Sequence, residues 1–385
     1  MNISTIQTLR LANSDQVIPE GSRKSWDVTT RRGSQMNRYR HWYENKTEWA
    51  PQSGDVWVAI TAEDGTRGLG FAPNADVTAT IIETHLSKLL VGRSALSTEA
   101  LSDIMWRASA GLIGGSIARA ISAIDAALWD LKGNILKQPV YSLLGGPSRE
   151  YVKCYATSDD IDWSKELGFE RFKMSCRWSA DDGEQGLQEM EAKFAKARAI
   201  VGDQADIAFN PVMSFDLEYA VKTAERLRPF NLRWLEEMLP PDDYEGHVEL
   251  RRRVPYAILA TGEDHHRASQ FMRLASGRLV DILQPDVQWC GGITELVKIC
   301  HIAEATGLRV NPHLGANTPM GLHACLALPA IEGAEYWLGT APGVPISFNN
   351  KVPGHVDPEN GVAVPSSRPG LGFEIEDDQL SPYFE

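Results

Sequence analysis

Short apolar runs recur along the chain from residue 150 onward, and stretches with helical periodicity lie between them. The spacing of the runs is roughly 25 to 30 residues. Strands that alternate with helices predict βα units and a parallel sheet. Eight such units predict a closed (β/α)8 barrel. In chain order the runs read VKCYAT, FERFKM, DIAF, LRWLE, AILATGE, LVDILQPD, LRVNPH and AEYWLG.

The first part of the chain has a different pattern. The alternation in DVWVAITAEDGTRGLGFA, with a Glu-Asp-Gly turn inside it, predicts a β-hairpin. Residues 95–138 are predicted to be helical, with apolar positions at helical spacing, and Pro139 ends that stretch. The segment from Val17 to Gly54 is charged and has no clear periodicity, so we interpret it as a loop or lid.

Composition narrows the class of protein. A net charge of −13 over 385 residues argues against nucleic acid and anionic membranes as partners. No apolar run approaches the ~20 residues that cross a bilayer, and the N-terminus lacks the pattern of a signal peptide. We therefore expect a cytoplasmic protein with reduced thiols. The five scattered cysteines are Cys154, Cys176, Cys290, Cys300 and Cys325.

Polar residues follow nearly every predicted strand, at the point where the strand ends. In a (β/α)8 barrel the carboxyl ends of the strands converge on one mouth, where active sites lie. The last run begins near a further acid, Glu335. The other strand-end residues are Lys173, Asn210, Glu236, Glu263, Asp286 and His313.

So many carboxylates at one rim call for positive charge. Burying each one without a counter-charge costs several kcal/mol, and a divalent cation is a natural compensation. Oxygen ligands from Asn210, Glu236 and Glu263 suit a hard ion such as Mg²⁺. Zinc would require His or Cys clusters, and the adjacent pair His265 and His266 lacks the other spacings of a zinc site.

Each of these residues also has an ordinary interpretation when taken alone. Asp286 is a possible helix cap and Asn210 a turn residue. His313 alone is typical of a hydrogen-bonded core histidine, and Lys173 of a solvated strand end. Glu237 is interpreted as an acid that supports its neighbour. Their joint occurrence in strand order favours the functional interpretation.

Three long segments carry a resemblance to a known family: ARAISAIDAALWDLKGNILKQPVYSLLGG, WLEEMLPPDDYEGHVELRR and DILQPDVQWCGGITELVKI. The chain resembles the enolase superfamily, in its mandelate racemase/muconate lactonizing enzyme subgroup, and within it the rhamnonate dehydratases. The resemblance covers nearly the whole chain. It implies a modified (β/α)8 TIM barrel over residues 126–344. It also implies an N-terminal α+β capping domain over 1–125, completed by the C-terminal tail at about 345–385.

The resemblance also implies roles for the strand-end residues. Asn210, Glu236 and Glu263 occupy the three positions of the metal ligands, and Asp286 with His313 those of a catalytic dyad. Lys173 stands at the first lysine of the racemase KxK motif. Glu335 lies near an acidic position that follows the dyad. The catalytic residues expected from this resemblance are His313, Asp286, Lys173 and Glu335.

Superfamily chemistry begins with removal of the proton α to a carboxylate, and a bound metal neutralises the resulting enediolate. The second KxK lysine is replaced by Ser175 here. Racemisation needs a base on both faces, whereas dehydration can run on one face with His313 alone. The expected function is therefore Mg²⁺-dependent dehydration of an aldonate or aldarate to a 2-keto-3-deoxy sugar acid. The alternatives are an epimerase or racemase, a cycloisomerase, or a non-catalytic relative.

Asn210 departs from the family's usual aspartate, so the ligand set carries a formal charge of −2 in place of −3. We therefore expect a weaker Mg²⁺ site, since ligand charge tunes affinity for hard cations.

The substrate end of the site is predicted less directly. The Arg- and Trp-rich segment from Trp26 to Trp49 is expected to close over the barrel and contact the sugar acid. Rhamnonate dehydratases place a His and an Arg in this region, where this chain has Arg32 and Asn45. We also expect a homo-oligomer. The predicted substrate-binding residues are Arg32, Arg38, His265 and Trp289.

Overall fold

A computed structural model describes residues 1–12, 35–39, 54–112, 114–348 and 352–384. An antiparallel sheet of four strands forms the N-terminal part, and its outer strand comes from the end of the chain. The order across this sheet is β13-β1-β2-β3. Its strands are β1 (Ile3–Leu11), β2 (Asp55–Ala62), β3 (Arg67–Pro73) and β13 (Leu380–Pro382).

The predicted hairpin is confirmed as β2 and β3, which pair antiparallel from Asp55 opposite Pro73 to Thr61 opposite Arg67. The turn between them is closed by the Thr66 amide, which donates to Asp64 Oδ1 over 3.0 Å. Alternation of apolar and polar positions therefore predicted this element correctly.

The predicted helical stretch over residues 95–138 is interrupted. Two α-helices separated by a short 3₁₀ turn, Ala110–Leu112, take its place. Glycines at 111, 114 and 115 explain the break, because glycine is a poor helix former and leaves the backbone free to turn. The N-terminal helices are α1 (Ala75–Ile81), a π-helical turn (Ile82–Leu86), α2 (Ser87–Leu90), α3 (Thr98–Ala108), α4 (Gly115–Leu136) and α5 (Val140–Leu143).

Helix α4 lies directly on the hairpin because glycines in β3 let the two backbones approach. A Cβ atom added at Gly70 would lie 2.3 Å from the carbonyl oxygen of Ala123, and one at Gly68 would lie 2.3 Å from the amide of Leu131. Any larger side chain in either place would separate the helix from the sheet.

Eight parallel strands form the second sheet, in the order β10-β9-β8-β7-β6-β5-β4-β11. Val310 of β10 also forms a parallel bridge with Ile331, just before β11, so the parallel order continues round a barrel. This confirms the predicted barrel. Its strands are β4 (Val152–Thr157), β5 (Arg171–Ser175), β6 (Asp206–Asn210), β7 (Leu235–Glu236), β8 (Leu259–Thr261), β9 (Ile282–Leu283), β10 (Arg309–Val310) and β11 (Ala334–Trp337).

The helices between these strands surround the barrel, and a large apolar core fills the space between helices and strands. A smaller cluster of Tyr155, Ala208, Trp234, Ala260 and Ile282 lies on the other face of the strands. In the part of the chain that the structure describes, no helix has the length and apolar character needed to cross a membrane. The barrel helices are α6 (Ile161–Glu166), α7 (Gly183–Val201), α8 (Leu217–Leu227), α9 (Tyr244–Arg253), α10 (Arg267–Ser276), α11 (Ile293–Thr306) and α12 (Pro319–Ala327).

The C-terminal tail contacts both sheets. Strand β12 (Val362–Ala363) pairs with β4 of the barrel, and β13 pairs with β1 of the antiparallel sheet. The buried carboxylate of Asp130 in α4 accepts hydrogen bonds from the amides of Leu69 (2.8 Å) and Leu371 (2.6 Å). One side chain thus joins a helix, the hairpin and the tail. The domain boundaries predicted above stay a prediction.

Replacing Asp130 with alanine should lower the free energy of unfolding by about 2 to 4 kcal/mol, because two buried amides would lose their acceptor. Urea titration would measure the loss. The exposed Asp103, which pairs with Arg107 one helical turn away, provides the matched control Asp103→Ala. Equal stability of the two variants would show that Asp130 does not hold the tail.

Candidate active site

The predicted strand-end residues lie together at the carboxyl ends of the barrel strands. Asp286 and His313 follow β9 and β10, and their backbones form a parallel bridge beyond those strands. Glu263 follows β8 by two residues. The remaining members of the rim lie within strands: Lys173 in β5, Asn210 in β6, Glu236 in β7 and Glu335 in β11.

Lys173 lies between two carboxylates inside the barrel. Its Nζ is 2.7 Å from Glu335 Oε1 and makes a still shorter contact with Glu236 Oε1. Only 3% of the lysine side chain is exposed. Burial lowers the pKa of Lys173, but the charges of Glu236 and Glu335 outweigh burial and raise the pKa well above its usual value. The lysine is therefore a fixed positive charge and not a solvated strand end.

The carboxylate of Glu236 is surrounded by donors. Lys173 and the Asn210 amide, at 2.8 Å, donate to Oε1. The indole of Trp234 (2.8 Å) and the amide of Gln284 (2.7 Å) donate to Oε2. Four donors fix both oxygens, so the orientation of Glu236 is determined before any ligand binds.

Asn210 presents its nitrogen to the site. Its Oδ1 accepts a hydrogen bond from the Val212 amide over 2.6 Å, while its Nδ2 faces Glu236. Turning the amide over exchanges nitrogen and oxygen, and would place the carbonyl oxygen beside Glu236 at the cost of the Val212 bond. Asn210 can therefore serve as a donor to the carboxylate or as a ligand of a cation beside it.

Glu335 is held as firmly as Glu236. The hydroxyl of Thr157 donates to Oε1 over 2.6 Å and the Leu314 amide to Oε2 over 3.2 Å. Burial raises the pKa of Glu335, but the charges of Lys173 and His313 outweigh it and lower the pKa to about 2. The group is ionised throughout the physiological range.

His313 and Asp286 form a hydrogen-bonded pair. His313 Nδ1 is 2.7 Å from Asp286 Oδ2, and the Gln288 amide fixes the other oxygen of Asp286 over 2.6 Å. His313 Nε2 faces Glu263 Oε2 at 3.5 Å. Burial lowers the pKa of His313, but Glu263 and the bond to Asp286 raise it to about 10. The pair has the geometry of a base whose tautomer is set by a carboxylate.

Two further carboxyl groups at the rim have few partners. Burial raises the pKa of Glu263 to about 7, and the positive charges of His313 and Lys173 oppose that shift. Glu237 is 1% exposed, and neither of its carboxylate oxygens has a hydrogen-bond partner among the described residues. Burial, together with the charges of Glu263 and Glu236, raises the pKa of Glu237 well above its usual value.

The predicted substrate-binding residues are not gathered in one place. The ring of Trp289 is 5.0 Å from the ring of His313, beside the dyad. The guanidinium of Arg119 lies over the Trp289 ring, 4.9 Å from its centre. His265 is buried against the rings of Tyr244 (5.9 Å) and Phe271 (5.8 Å), in the helix layer.

The predicted lid lies mostly outside the described residues, and Arg32 and Asn45 are among those left out. Arg38 ends the described turn Gln35–Arg38, but its side chain is not among the described ones. In that turn the amide of Gln35 lies 3.4 Å from Met213 Sδ, in the loop that follows β6. The described part of the segment therefore contacts the barrel mouth.

The position of the second KxK lysine holds no base. The Ser175 amide and hydroxyl donate to the two oxygens of Asp159 over 2.9 and 2.5 Å, and Lys193 lies 2.8 Å from the same carboxylate. Ser175 is thus part of a hydrogen-bonded network at the end of β5.

Several residues that shape the site were not predicted. Trp234 directly precedes β7 and lies two positions before Glu236, and the two-residue period of extended chain places both on one face. Gln284 is the one amide in the run DILQP and directly follows the apolar pair Ile282 and Leu283. Both signals are readable in the sequence, although the donor role of each side chain is not.

No three His, Cys, Asp or Glu side chains in the described parts of the chain are grouped closely enough to hold a metal ion. The predicted ligand set contains only two carboxylates, and its third member is the amide of Asn210. Glu237 and Glu263 are the nearby acids whose carboxyl oxygens have few hydrogen-bond partners. A hard cation would supply the positive charge that these buried oxygens lack.

Fold and site together define a (β/α)8-barrel protein with an additional antiparallel sheet and a rim of acids facing a His–Asp pair. Residues 159–379 match the model described as the enolase C-terminal domain-like family. Residues 50–145 match the mandelate racemase/muconate lactonizing enzyme N-terminal domain. This chain belongs to the mandelate racemase/muconate lactonizing enzyme subgroup of the enolase superfamily.

Individual relatives agree with this membership. The chain is 43% identical over 263 residues to an L-rhamnonate dehydratase of Saccharopolyspora erythraea, which covers 68% of this chain and 67% of the relative. A crystal structure of rhamnonate dehydratase from Gibberella zeae complexed with Mg has a TM-score of 0.90 at 28% identity, covering 99% and 96% of the two chains. A 3,6-anhydro-D-galactonate cycloisomerase from Zobellia galactanivorans has a TM-score of 0.77 at 25% identity, covering 98% of each chain.

Replacing Lys173 with methionine should lower the free energy of unfolding by about 3 to 5 kcal/mol at pH 7, because two buried carboxylates lose their counter-charge. The pKa of Glu335 lies below its ordinary value of 4.5 in the folded chain. Its pairing therefore stabilises the fold above pH 4.5, and this stabilisation is lost as the pH falls through about 2.

The difference between wild type and variant should accordingly close as the pH is lowered from 4.5 towards 2, measured by urea titration at several pH values. Lys153→Met is the matched control, since Lys153 is an exposed lysine on a barrel strand. A pH-independent difference would contradict the electrostatic explanation.

Proposed function

We propose that this chain catalyses the Mg²⁺-dependent dehydration of a sugar acid, an aldonate or aldarate, to a 2-keto-3-deoxy sugar acid. The observation that carries the proposal is the orientation of His313. Its Nδ1 is bonded to Asp286 while its Nε2 faces Glu263 across the barrel mouth. The similarity to L-rhamnonate dehydratases supports the same reaction class.

The residues present fit Mg²⁺ as the cofactor. The candidate ligands are the carboxylates of Glu236 and Glu263 and, once its amide is turned over, the carbonyl oxygen of Asn210. Oxygen atoms are the donors that Mg²⁺ prefers. The relative from Gibberella zeae was crystallised with Mg. When bound, the ion would supply positive charge to the substrate carboxylate as the α-proton leaves.

His313 would act first as a base. Its Nε2 removes the proton from the carbon next to the substrate carboxylate, and Asp286 holds the Nδ1 proton and stabilises the imidazolium that forms. Without a cation the pKa of His313 is raised to about 10. Positive charge beside Glu263 would lower that pKa towards neutrality, the range in which a general base works best.

His313 would then act as an acid on the same face. The proton on Nε2 passes to the β-hydroxyl as its carbon–oxygen bond breaks, so that water leaves and an enol remains. The enol becomes the 2-keto group when a proton returns to the β-carbon. One imidazole thus serves both proton transfers, and no group on the opposite face is required.

Three alternative functions receive less support. An epimerase or racemase would need a base on the second face, and Ser175 at that position is bonded to Asp159. A cycloisomerase has the same fold, as the structure from Zobellia galactanivorans illustrates. A non-catalytic relative would have no need of the hydrogen-bonded pair of His313 and Asp286.

His313→Asn should lower kcat for 2-keto acid formation by about 10² to 10⁴-fold, because the general base and acid are lost together. A sugar-acid library would first identify the substrate, with 2-keto acid detected as a semicarbazone. His301→Asn, which changes an exposed histidine on α11, should keep wild-type turnover. Turnover by His313→Asn at the rate of this control would refute the assignment.

Incubation with substrate in deuterium oxide separates dehydration from epimerisation. We expect each turnover to release water and to leave the remaining substrate unlabelled at the α-carbon, in its original configuration. NMR of the recovered substrate gives both measurements. Label at the α-carbon with inverted configuration, and no 2-keto acid, would identify an epimerase instead.

A further inference from the structure

A second group of polar side chains lies beside the pair of His313 and Asp286 and has no part in the proton transfers. Trp289 connects the two groups. Its ring is 5.0 Å from the ring of His313, and the guanidinium of Arg119 lies over it, 4.9 Å from its centre. His266 belongs to the same group, because its Nδ1 is 3.0 Å from the carbonyl oxygen of Trp289.

Three separate elements bring these side chains together. Arg119 is in the first turns of α4, His266 directly precedes α10, and Trp289 is in the loop that follows β9. Barrel helices begin at the mouth, where the strands end, so the start of α10 places His266 at the rim. Helix α4, which packs on the antiparallel sheet, therefore adds an arginine to a corner of the barrel mouth.

Arg119 and His266 meet at Gly115, near the N-terminal end of α4. A Cβ atom added to this glycine would lie 3.0 Å from Arg119 Nη1 and 3.3 Å from His266 Nε2. Glycine lets both nitrogen atoms approach the helix this closely. The guanidinium and the imidazole are therefore neighbours, and one ligand could contact both.

Arg119 lacks an acid partner. It forms no ion pair within the described parts of the chain, and its Nε is buried there without a hydrogen-bond partner. An arginine guanidinium is charged at every physiological pH, and a buried donor without an acceptor is destabilising. A methionine would cover the Trp289 ring without that cost. An anionic ligand would supply the missing acceptor.

His266 offers the opposite chemistry to Arg119. A carbonyl oxygen can only accept, so the contact with Trp289 places the proton of the neutral imidazole on Nδ1 and leaves Nε2 as an acceptor. Burial lowers the pKa of His266, which keeps the ring neutral at pH 7. An acceptor beside a guanidinium suits a ligand that carries a hydroxyl next to a carboxylate.

A single substrate is long enough to reach both the dyad and Arg119. Its α-carbon would lie about 3 to 3.5 Å from His313 Nε2 during proton removal. With carbon–carbon bonds of about 1.5 Å, an extended six-carbon acid reaches about 5 Å further to its last carbon. A hydrogen bond between guanidinium and carboxylate adds about 3 Å. Trp289 spans the same interval, since its ring contacts His313 on one side of the group and Arg119 on the other.

We propose that Arg119 and His266 form a subsite for the far end of the substrate, and that this end is a carboxylate with an adjacent hydroxyl. The substrate is then an aldarate, a sugar diacid, in preference to an aldonate. Arg119 donates paired N–H groups to the second carboxylate, and His266 Nε2 accepts from the hydroxyl. The inference rests on the proposed function, because it names the substrate of the same site.

Paired substrates test this inference. Aldarates and aldonates of five and six carbons are compared at matched configuration, for example galactarate with galactonate and glucarate with gluconate. L-rhamnonate represents acids that end in a methyl group. For the best aldarate we expect wild type to form 2-keto acid with a kcat/KM at least about tenfold above that of the matched aldonate.

Arg119→Met keeps an unbranched side chain over Trp289 and removes the charge. Its kcat/KM for the aldarate should fall by about 10 to 100-fold, through KM and not kcat, because the lost contact is to a part of the substrate that does not react. Its kcat/KM for the aldonate should stay within about threefold of wild type. A residue that only supports the fold would affect both substrates equally.

Arg228→Met is the matched control. The guanidinium of Arg228 lies 4.4 Å from the centre of the Tyr256 ring, so it too is an arginine over an aromatic side chain. It lies in the 3₁₀ turn before β7, at the opposite end of the barrel from the mouth. This variant should keep the wild-type kinetic constants for both substrates.

The results separate this inference from the proposed function. Wild type that dehydrates aldonates, L-rhamnonate included, as efficiently as aldarates would overturn the inference and leave the proposed function intact. An equal loss for both substrates in Arg119→Met would do the same. If none of these acids gives a 2-keto acid, the proposed function is wrong, and the inference with it.

Thermal unfolding gives a second measurement that does not depend on turnover, in the inactive His313→Asn background. With Mg²⁺ present, the aldarate should raise the melting temperature more than the aldonate does, and Arg119→Met should remove that difference. Equal rises before Arg119 is changed would overturn the inference. If Arg119→Met does not fold, Arg119→Lys replaces it. Lysine keeps the charge without the paired N–H groups, and should still weaken the aldarate alone.

Equal weakening of both acids in Arg119→Lys would likewise contradict the subsite.

Discussion

The site depends on one buried ion arrangement, the ammonium of Lys173 between the carboxylates of Glu236 and Glu335. These three groups come from β5, β7 and β11, and one strand separates β5 from each of the other two, so their attraction links strands that are not hydrogen-bonded to each other. Each of these charges can be buried only because the opposite charge beside it offsets the cost of removing it from water. Since the lysine orients Glu236, it also fixes one side of the space in which a cation would bind. The barrel supplies the geometry, and this arrangement makes an acidic interior stable.

A second constraint acts on the opposite side of the mouth. The backbones of Asp286 and His313 remain bridged after β9 and β10 have ended, so the two side chains leave adjacent strands in register. The hydrogen bond between them then follows from strand pairing and needs no flexible loop. Sites built on strand ends are more precise than sites built on loops. This rigidity suits an imidazole that would remove a proton from the α-carbon of the substrate and then donate one to its β-hydroxyl.

Much of the fold and of the rim could be predicted from the sequence, for identifiable physical reasons. Apolar runs that end in polar residues predicted all eight barrel strands and the rim from Lys173 to Glu335, because parallel strands share one carboxyl end. The break in the predicted helix was missed, since apolar periodicity does not register glycines at 111 and 114. The isolation of Glu237 could not be predicted either. It depends on the tertiary surroundings of a side chain just beyond the end of β7, about which apolar periodicity carries no information.

The tail has a consequence for biosynthesis. Strand β1 is made long before its neighbour on one side, β13, which is formed by residues 380–382. On the ribosome the barrel strands therefore emerge while one edge of β1 is still unpaired. An open strand edge can pair with another chain and cause aggregation, and this risk lasts until the residues between β1 and β13 have been synthesised. The nine-residue β1 exposes polar residues such as Gln7 and Arg10, and these disfavour pairing with other chains during that interval.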